Sequence, residues 1–118
     1  MKNKFSLIGK EVIQSEINSL KKLKNSLNKD FDRIVHSVIK CKGKVIFAGV
    51  GKSGLIAKKI SATFSSVGIP SFFCDPAQAL HGDMGQIEKK DILIIFSYSG
   101  NTSELNNMLK YANRFRIK

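Results

Sequence analysis

Ser97, Ser99, Thr102 and Ser103 follow directly on the apolar run Ile92-Leu93-Ile94-Ile95-Phe96, and Glu104 stands behind them. Five apolar residues in a row suit a strand covered on both faces, so the hydroxyls are expected where that strand ends. With the backbone amides of Gly100 and its neighbours, they form a dense set of hydrogen-bond donors for a phosphate. A second anion-binding turn is read in "GVGKSG", where Gly49, Gly51 and Gly54 let backbone amides approach a ligand and Ser53 adds a hydroxyl. Lys52 sharpens this reading. A cation in the first turn of a helix opposes the macrodipole by about 0.3 to 1 kcal/mol, which makes sense where an anion is also bound. Each turn also has a plainer account. The first is equally a glycine turn with an exposed lysine, and in the second Asn101 as N-cap with Glu104 at N3 makes a capping box. Capping alone does not explain hydroxyls at 97 and 99.

Two other phosphate motifs bear on the first turn. A P-loop needs G-x-x-x-x-G-K-[ST]; Gly51-Lys52-Ser53 fits its end, but the first glycine falls at Ile46, inside an apolar segment, which excludes it. The dinucleotide pattern G-x-G-x-x-G does match Gly49, Gly51 and Gly54, and Asp75 follows where a ribose-binding acid is expected. A dinucleotide-binding domain is therefore an alternative reading, although such a site does not require the second, hydroxyl-rich turn.

The elements that must position these turns follow from apolar spacing. Phe5, Ile8, Val12, Ile13, Ile17, Leu20, Leu23 and Leu27 form the stripe of one long amphipathic helix. Asp30 opens a second, with Phe31, Ile34, Val35, Val38 and Ile39 on one face until Gly43 ends it. "KVIFAGV" (44–50) reads as a buried strand, and Leu55, Ile56, Ile60, Phe64 and Val67 as a helix stopped by Gly68 and Pro70. "SFFCD" is a second strand, 76–86 a loop with a helical turn near Ala77 to Leu80, 91–96 a third strand, and 101–113 a final helix. Strands alternating with helices imply parallel pairing in an α/β three-layer arrangement, in strand order 2-1-3. All strands of such a sheet end at one edge, so both turns face one crevice.

Composition narrows the function classes. The chain has 118 residues, no run of 18 apolar ones and no leader-like start, so neither a membrane span nor a secretory signal is expected, and the chain reads as cytoplasmic. Cys41 and Cys74 lack C-x-x-C spacing or a matching set of histidines, so ordinary thiols are expected, with no metal site. The net charge of +11 comes from lysines spread through the helical stretches, as in "SLKKLK" and "AKKIS". They are not gathered with arginines and aromatics, which favours solvated faces over nucleic-acid binding.

Taken together, "GVGKSG", "DPAQALHGDMG" and "SYSGNTSE" resemble the sugar isomerase (SIS) domain of the bacterial arabinose-5-phosphate isomerases, from about Asp30 to Tyr111. The resemblance implies a flavodoxin-like parallel sheet of five strands that binds phosphosugars without a cofactor. The family's S-x-S-G-x-[ST]-x-E motif falls on Ser97, Ser99, Gly100, Thr102 and Glu104, implying that hydroxyls and nearby amides, Asn101 included, hold the phosphate. The implied reaction converts ribulose 5-phosphate to arabinose 5-phosphate, a precursor of the lipopolysaccharide octulosonate. It needs a base, an acid and a positive charge to converge on an enediolate. By resemblance Lys52 is the positive group, His81 sits in the "HGD" loop over the sugar, and Glu104 is the acid or base. His81 beside Asp83 also fits an exposed loop pair or a fortuitous metal contact, and Glu104 a capping role.

The family continues for two further strands and their helices, whereas this sequence stops at "NRFRIK". The expectation is therefore a partial SIS domain over 1–118, with N-terminal helices in 1–43 and a core in 44–118, truncated at its C-terminal side and leaving the third strand at an edge. Such an edge invites another chain, so a homo-oligomer or a complementary chain is an expected partner beside the sugar phosphate. A non-enzymatic phosphosugar-binding module is the other reading. Family members that regulate transcription carry a helix-turn-helix ahead of the domain, and the single stripe of 5–27 lacks its short turn.

Overall fold

The computed structural model describes residues 4–118. The chain divides into two compact units, Met1–His36 and Ser37–Lys118. The first holds α1 (Lys4–Ser26) and most of α2 (Lys29–Ile39). Asn28 separates them: its side-chain oxygen accepts from the Asp30 amide at 2.8 Å and its carbonyl from the Phe31 amide at 3.0 Å, which starts α2 with its orphan donors satisfied. Neither helix buries a residue, and the whole apolar stripe of α1 is exposed.

The second unit is an open, all-parallel sheet of β1 (Val45–Gly49), β2 (Ser71–Phe73) and β3 (Ile92–Phe96) in the order β2-β1-β3. Between the strands run α3 (Lys52–Ser66), the short α4 (Pro76–Ala79) with a 3-10 turn at Asp83–Gln86, and finally α5 (Ser103–Phe115). β1 is central and wholly buried because its alternating side chains feed two cores. Val45 and Phe47 pack with Ala57, Ile60 and Phe64 of α3, the Phe47 and Phe64 rings meeting edge to face at 5.1 Å. Ile46 and Ala48 pack on the other face with Leu105, Met108 and Ala112 of α5 and with Cys74 and Ala79. Helix, sheet and helix are thus the three layers expected from the alternating pattern.

Three local expectations are corrected. Gly43 does not end α2, which stops at Ile39; its missing side chain clears Asp91, whose Oδ1 would lie 2.2 Å from an added Cβ. The second strand closes at Phe73, because Asp75 leaves the sheet to cap α4, accepting from Ala77 N at 2.8 Å and Gln78 N at 3.4 Å. The cap of α5 is Thr102 rather than Asn101, with no side-chain capping bond, so the Asn101–Glu104 capping box is not formed. Asn101 instead accepts from Asn106 Nδ2 at 3.3 Å, and Glu104 accepts from Ser103 Oγ at 3.0 Å.

The outer edge of β3 is less bare than the sequence suggests. Ile117 is buried in the α5-side core, and the Leu93 amide donates to the Lys118 carbonyl at 2.9 Å. At the start of the sheet, the buried carboxylate of Asp91 accepts from the amides of Lys44 (2.7 Å) and Glu88 (2.8 Å) and pairs with Lys44 Nζ at 3.3 Å. That single side chain joins the entry of β1 to the entry of β3.

Candidate functional site

The two turns leave β1 and β3 at the same edge of the sheet, as parallel pairing requires, with Gly49 opposite Phe96 in register. At the first turn the three glycines have different jobs. Gly51 takes φ of 61° as the residue before α3, a region an L side chain rarely enters. Gly49 and Gly54 are needed for closeness: a Cβ on Gly54 would meet the Gly49 carbonyl oxygen at 2.6 Å, and one on Gly49 would meet backbone atoms of Ser53 and Gly54 at 2.8 to 2.9 Å. These two let α3 start directly against the end of β1.

At the second turn the hydroxyls organise the backbone. Ser97 Oγ accepts from the Gly100 amide at 2.9 Å and Ser99 Oγ from the Asn101 amide at 3.3 Å, while Gly100 takes φ of 69°. A serine oxygen that accepts an amide still has its own O–H to donate. The turn is therefore wound by its own hydroxyls, which keep donor capacity for a ligand.

Two neighbouring clefts result. One, of about 190 Å³, is lined by Ser53 from the first turn and by Ser97, Ser99 and Thr102 from the second, with Val50, Phe96, Tyr98 and Leu105. Four hydroxyl residues from two distant sequence segments thus share one concavity at the C-terminal edge of the sheet. The other, of about 160 Å³, is lined by Gly49, Gly51, Gly54, Lys58, Asp75 and Glu104 among others.

The residues named by resemblance divide. Ser53, Ser97, Ser99 and Thr102 come together, and half-buried Glu104 lines the adjoining cleft with Gly49 and Gly51. Gly100 and Asn101 shape the turn through their amides without lining either cleft. Lys52, in the first turn of α3, and His81, between α4 and the 3-10 turn, are exposed and line neither.

Sequence reasoning missed Lys58 and Tyr98. Lys58 lines the cleft with Glu104, its ammonium 5.0 Å from the centre of the Phe73 ring. The signal was available, since Gly51, Gly54, Leu55 and Lys58 fall at helical spacing on one face of α3. Tyr98 is fully exposed at the rim of the hydroxyl cleft. Beneath the site, burial first, and then the charges of Asp83 and Asp75, push the Cys74 thiol up to about 11. Asp75, the acid that the dinucleotide reading assigns to a ribose, has its carboxylate engaged in capping α4.

An open parallel sheet with helices on both faces and a hydroxyl-rich crevice at its C-terminal edge defines an α/β domain with its candidate site at the strand ends, and the chain belongs to the SIS domain family, whose model matches residues 38–118. Among its relatives, arabinose 5-phosphate isomerase GutQ of Salmonella typhi is 47% identical over 98 residues, covering 83% of this chain and 30% of that protein. The probable arabinose 5-phosphate isomerase of Haemophilus influenzae is 40% identical over 111 residues, covering 94% of this chain and 33% of that protein. A solved Escherichia coli CFT073 protein in complex with arabinose 5-phosphate superposes with a TM-score of 0.89 at 36% identity, covering 98% of this chain and 61% of that one. The chain therefore spans about a third of the length of the curated relatives it matches.

Proposed function

We propose that this chain binds a pentose phosphate in the hydroxyl-lined crevice, with arabinose 5-phosphate and ribulose 5-phosphate as the substrate class. The observation that carries this reading is the convergence of Ser53, Ser97, Ser99 and Thr102 on one cleft beside Glu104. In this assignment the four hydroxyls and the amides of Gly100 and Asn101 hold the phosphate, and the sugar extends toward the cleft of Gly49, Gly51 and Glu104. The Glu104 carboxylate removes the proton from the hydroxyl-bearing carbon next to the carbonyl and returns it to the former carbonyl carbon, while the hydroxyl proton passes to the former carbonyl oxygen, interconverting aldose and ketose through an enediolate. A cation must offset the enediolate charge; Lys58 already lines that cleft, whereas Lys52 and His81 must turn inward to take the roles the resemblance gives them.

That displacement favours a second reading, in which the chain binds the phosphosugar without turning it over. A complementary strand, from a further segment or another polypeptide, fits the same picture, since β3 is the last strand of the sheet.

The test is thermal unfolding of the chain with arabinose 5-phosphate and with NAD as control. A ligand at 100 times its dissociation constant adds about 2.7 kcal/mol to stability. A rise with the sugar phosphate alone is expected; a rise with NAD alone would return the dinucleotide reading. Turnover of ribulose 5-phosphate by the same sample then separates the isomerase from the binding module.

A further inference from the structure

We infer that the basic cavity at the opposite edge of the sheet, where β1 and β3 begin, binds a diphosphate group at a site separate from the hydroxyl-lined crevice. The cavity, of about 220 Å³, is lined by Lys40, Lys42, Lys89, Lys90 and Lys118, together with half-buried Cys41 and buried Asp91 and Ile92. Its five lysines come from three segments: the turn that follows α2, the turn before β3, and Lys118, whose carbonyl accepts from the Leu93 amide. The five residues of β1 separate this edge from the crevice by about 15 Å. Lysines scattered along helices belong to solvated faces, but these stand in turns and converge on one concavity.

Two side chains hold those turns together. Cys41 Sγ lies 3.6 Å from the carbonyl oxygens of both Lys44 and Lys90, and Asp91 accepts from the amides of Lys44 and Glu88. The turn carrying Lys42 is thus fixed against the turn carrying Lys89 and Lys90. Little acid answers this charge. Among the described residues Asp91 is the only carboxylate lining the cavity, and its oxygens are taken by those amides and by Lys44 Nζ. Glu88 pairs with Lys44 at 3.6 Å and Lys90 at 3.1 Å, which leaves Lys40, Lys42, Lys89 and Lys118 without an ion pair among the described residues. Lys40 follows the end of α2 and complements its macrodipole, but Lys42, Lys89 and Lys118 lie outside any helix. Gathered like charges repel, and a concavity of one sign draws in a counter-ion. A terminal phosphate carries about two negative charges near neutral pH, so a diphosphate, with about three, suits four uncommitted lysines better than a monophosphate. None of the lining residues is aromatic, so the diphosphate rather than a stacked base is what the cavity recognises.

Amide chemical shifts of the 118-residue chain, titrated with inorganic pyrophosphate at about 0.1 M salt, test the site. Shifts are expected at 40–44 and 89–92, saturating with a dissociation constant of roughly 100 μM or below, and inorganic phosphate is expected to bind at least about tenfold more weakly. Pyrophosphate and ADP should both bind, the tighter of the two identifying the source of the diphosphate; binding of ADP alone overturns a site read from charge. Lys42→Ala/Lys89→Ala is expected to raise the pyrophosphate dissociation constant about tenfold or more, whereas Lys21→Ala/Lys22→Ala, which removes the same charge from α1, leaves it within about twofold. All four lysines are exposed, and circular dichroism checks that the fold persists. Equal losses from the two pairs would mark attraction to the net charge alone and overturn the assignment. So would shifts confined to 51–53 and 97–102, or no shift up to about 1 mM pyrophosphate. The map of the wild-type chain needs no variant, and because it is read away from the crevice, its outcome is independent of the phosphosugar reading.

Discussion

Ser97 and Ser99 each do two things with one oxygen, accepting a backbone amide while keeping a proton to give. Replacing either by alanine is expected to weaken arabinose 5-phosphate binding by roughly tenfold or more, since a hydrogen bond to a charged group is worth about 1.5 to 3 kcal/mol. Titration calorimetry reads this directly, and the melting temperature of the unliganded chain should move little because both residues are exposed. Lys58→Ala is expected to cost more affinity or turnover than Lys52→Ala, because of the two only Lys58 lines the cleft. Gly54→Ala should destabilise the fold by about 1 to 3 kcal/mol in urea unfolding, since its Cβ would press on the Gly49 carbonyl rather than on a movable side chain. The gathering of Ser97, Ser99 and Thr102 at the end of a strand was legible from residue type and position after an apolar run. The division of labour among the glycines was not, because a sequence shows that a side chain is absent without showing whether φ or close approach requires it.

Asp91 decides how the strands enter the sheet. Burial alone raises its carboxyl, but the amides of Lys44 and Glu88 and the Lys44 ammonium outweigh that and hold its pKa below the ordinary carboxylate range. A group whose folded pKa is depressed contributes stability that is present above its unfolded pKa and lost as pH falls through the folded value. Acid unfolding of the chain should therefore include a component that Asp91→Asn abolishes. That variant should cost about 3 kcal/mol at neutral pH, as expected when one member of a buried ion-paired network is removed. Gly43→Ala should weaken the same junction, its Cβ landing on the Asp91 carboxylate. Element order, parallel pairing and the central place of β1 were readable from the alternation of strand and helix patterns. Where elements stop was less readable. Asp75 left the expected second strand to cap α4, and Thr102 displaced Asn101 at the start of α5, because caps are settled by backbone angles that neighbouring Ser, Thr, Asn and Asp residues all tolerate.

For the molecule as a whole, both hydrophobic clusters lie in the Ser37–Lys118 unit, so the cooperative unfolding transition belongs there. Amide exchange should be slowest in Val45–Ala48, at the centre of the sheet, and faster along α1, which buries no residue. Thiol labelling follows the same division. Buried Cys74, pushed up to about 11, should resist modification at pH 8 until the chain unfolds. Because its folded value is raised, the stability it contributes is complete below about pH 9 and declines as pH climbs toward 11. The fold class and the common edge of the two turns were legible because they follow from connectivity. The separation of Lys52 and His81 from both clefts was not, because it depends on how side chains settle at the rim. The bond from the Leu93 amide to the Lys118 carbonyl carries a last implication. In a parallel ladder the groups of Leu93 and Ile95 turn away from β1, so two amides only two residues apart become reporters of one boundary. The Leu93 proton should exchange slowly and the Ile95 proton quickly. Any molecule that lays a backbone along β3 should announce itself by slowing the second, before any change in mass or melting temperature is measured.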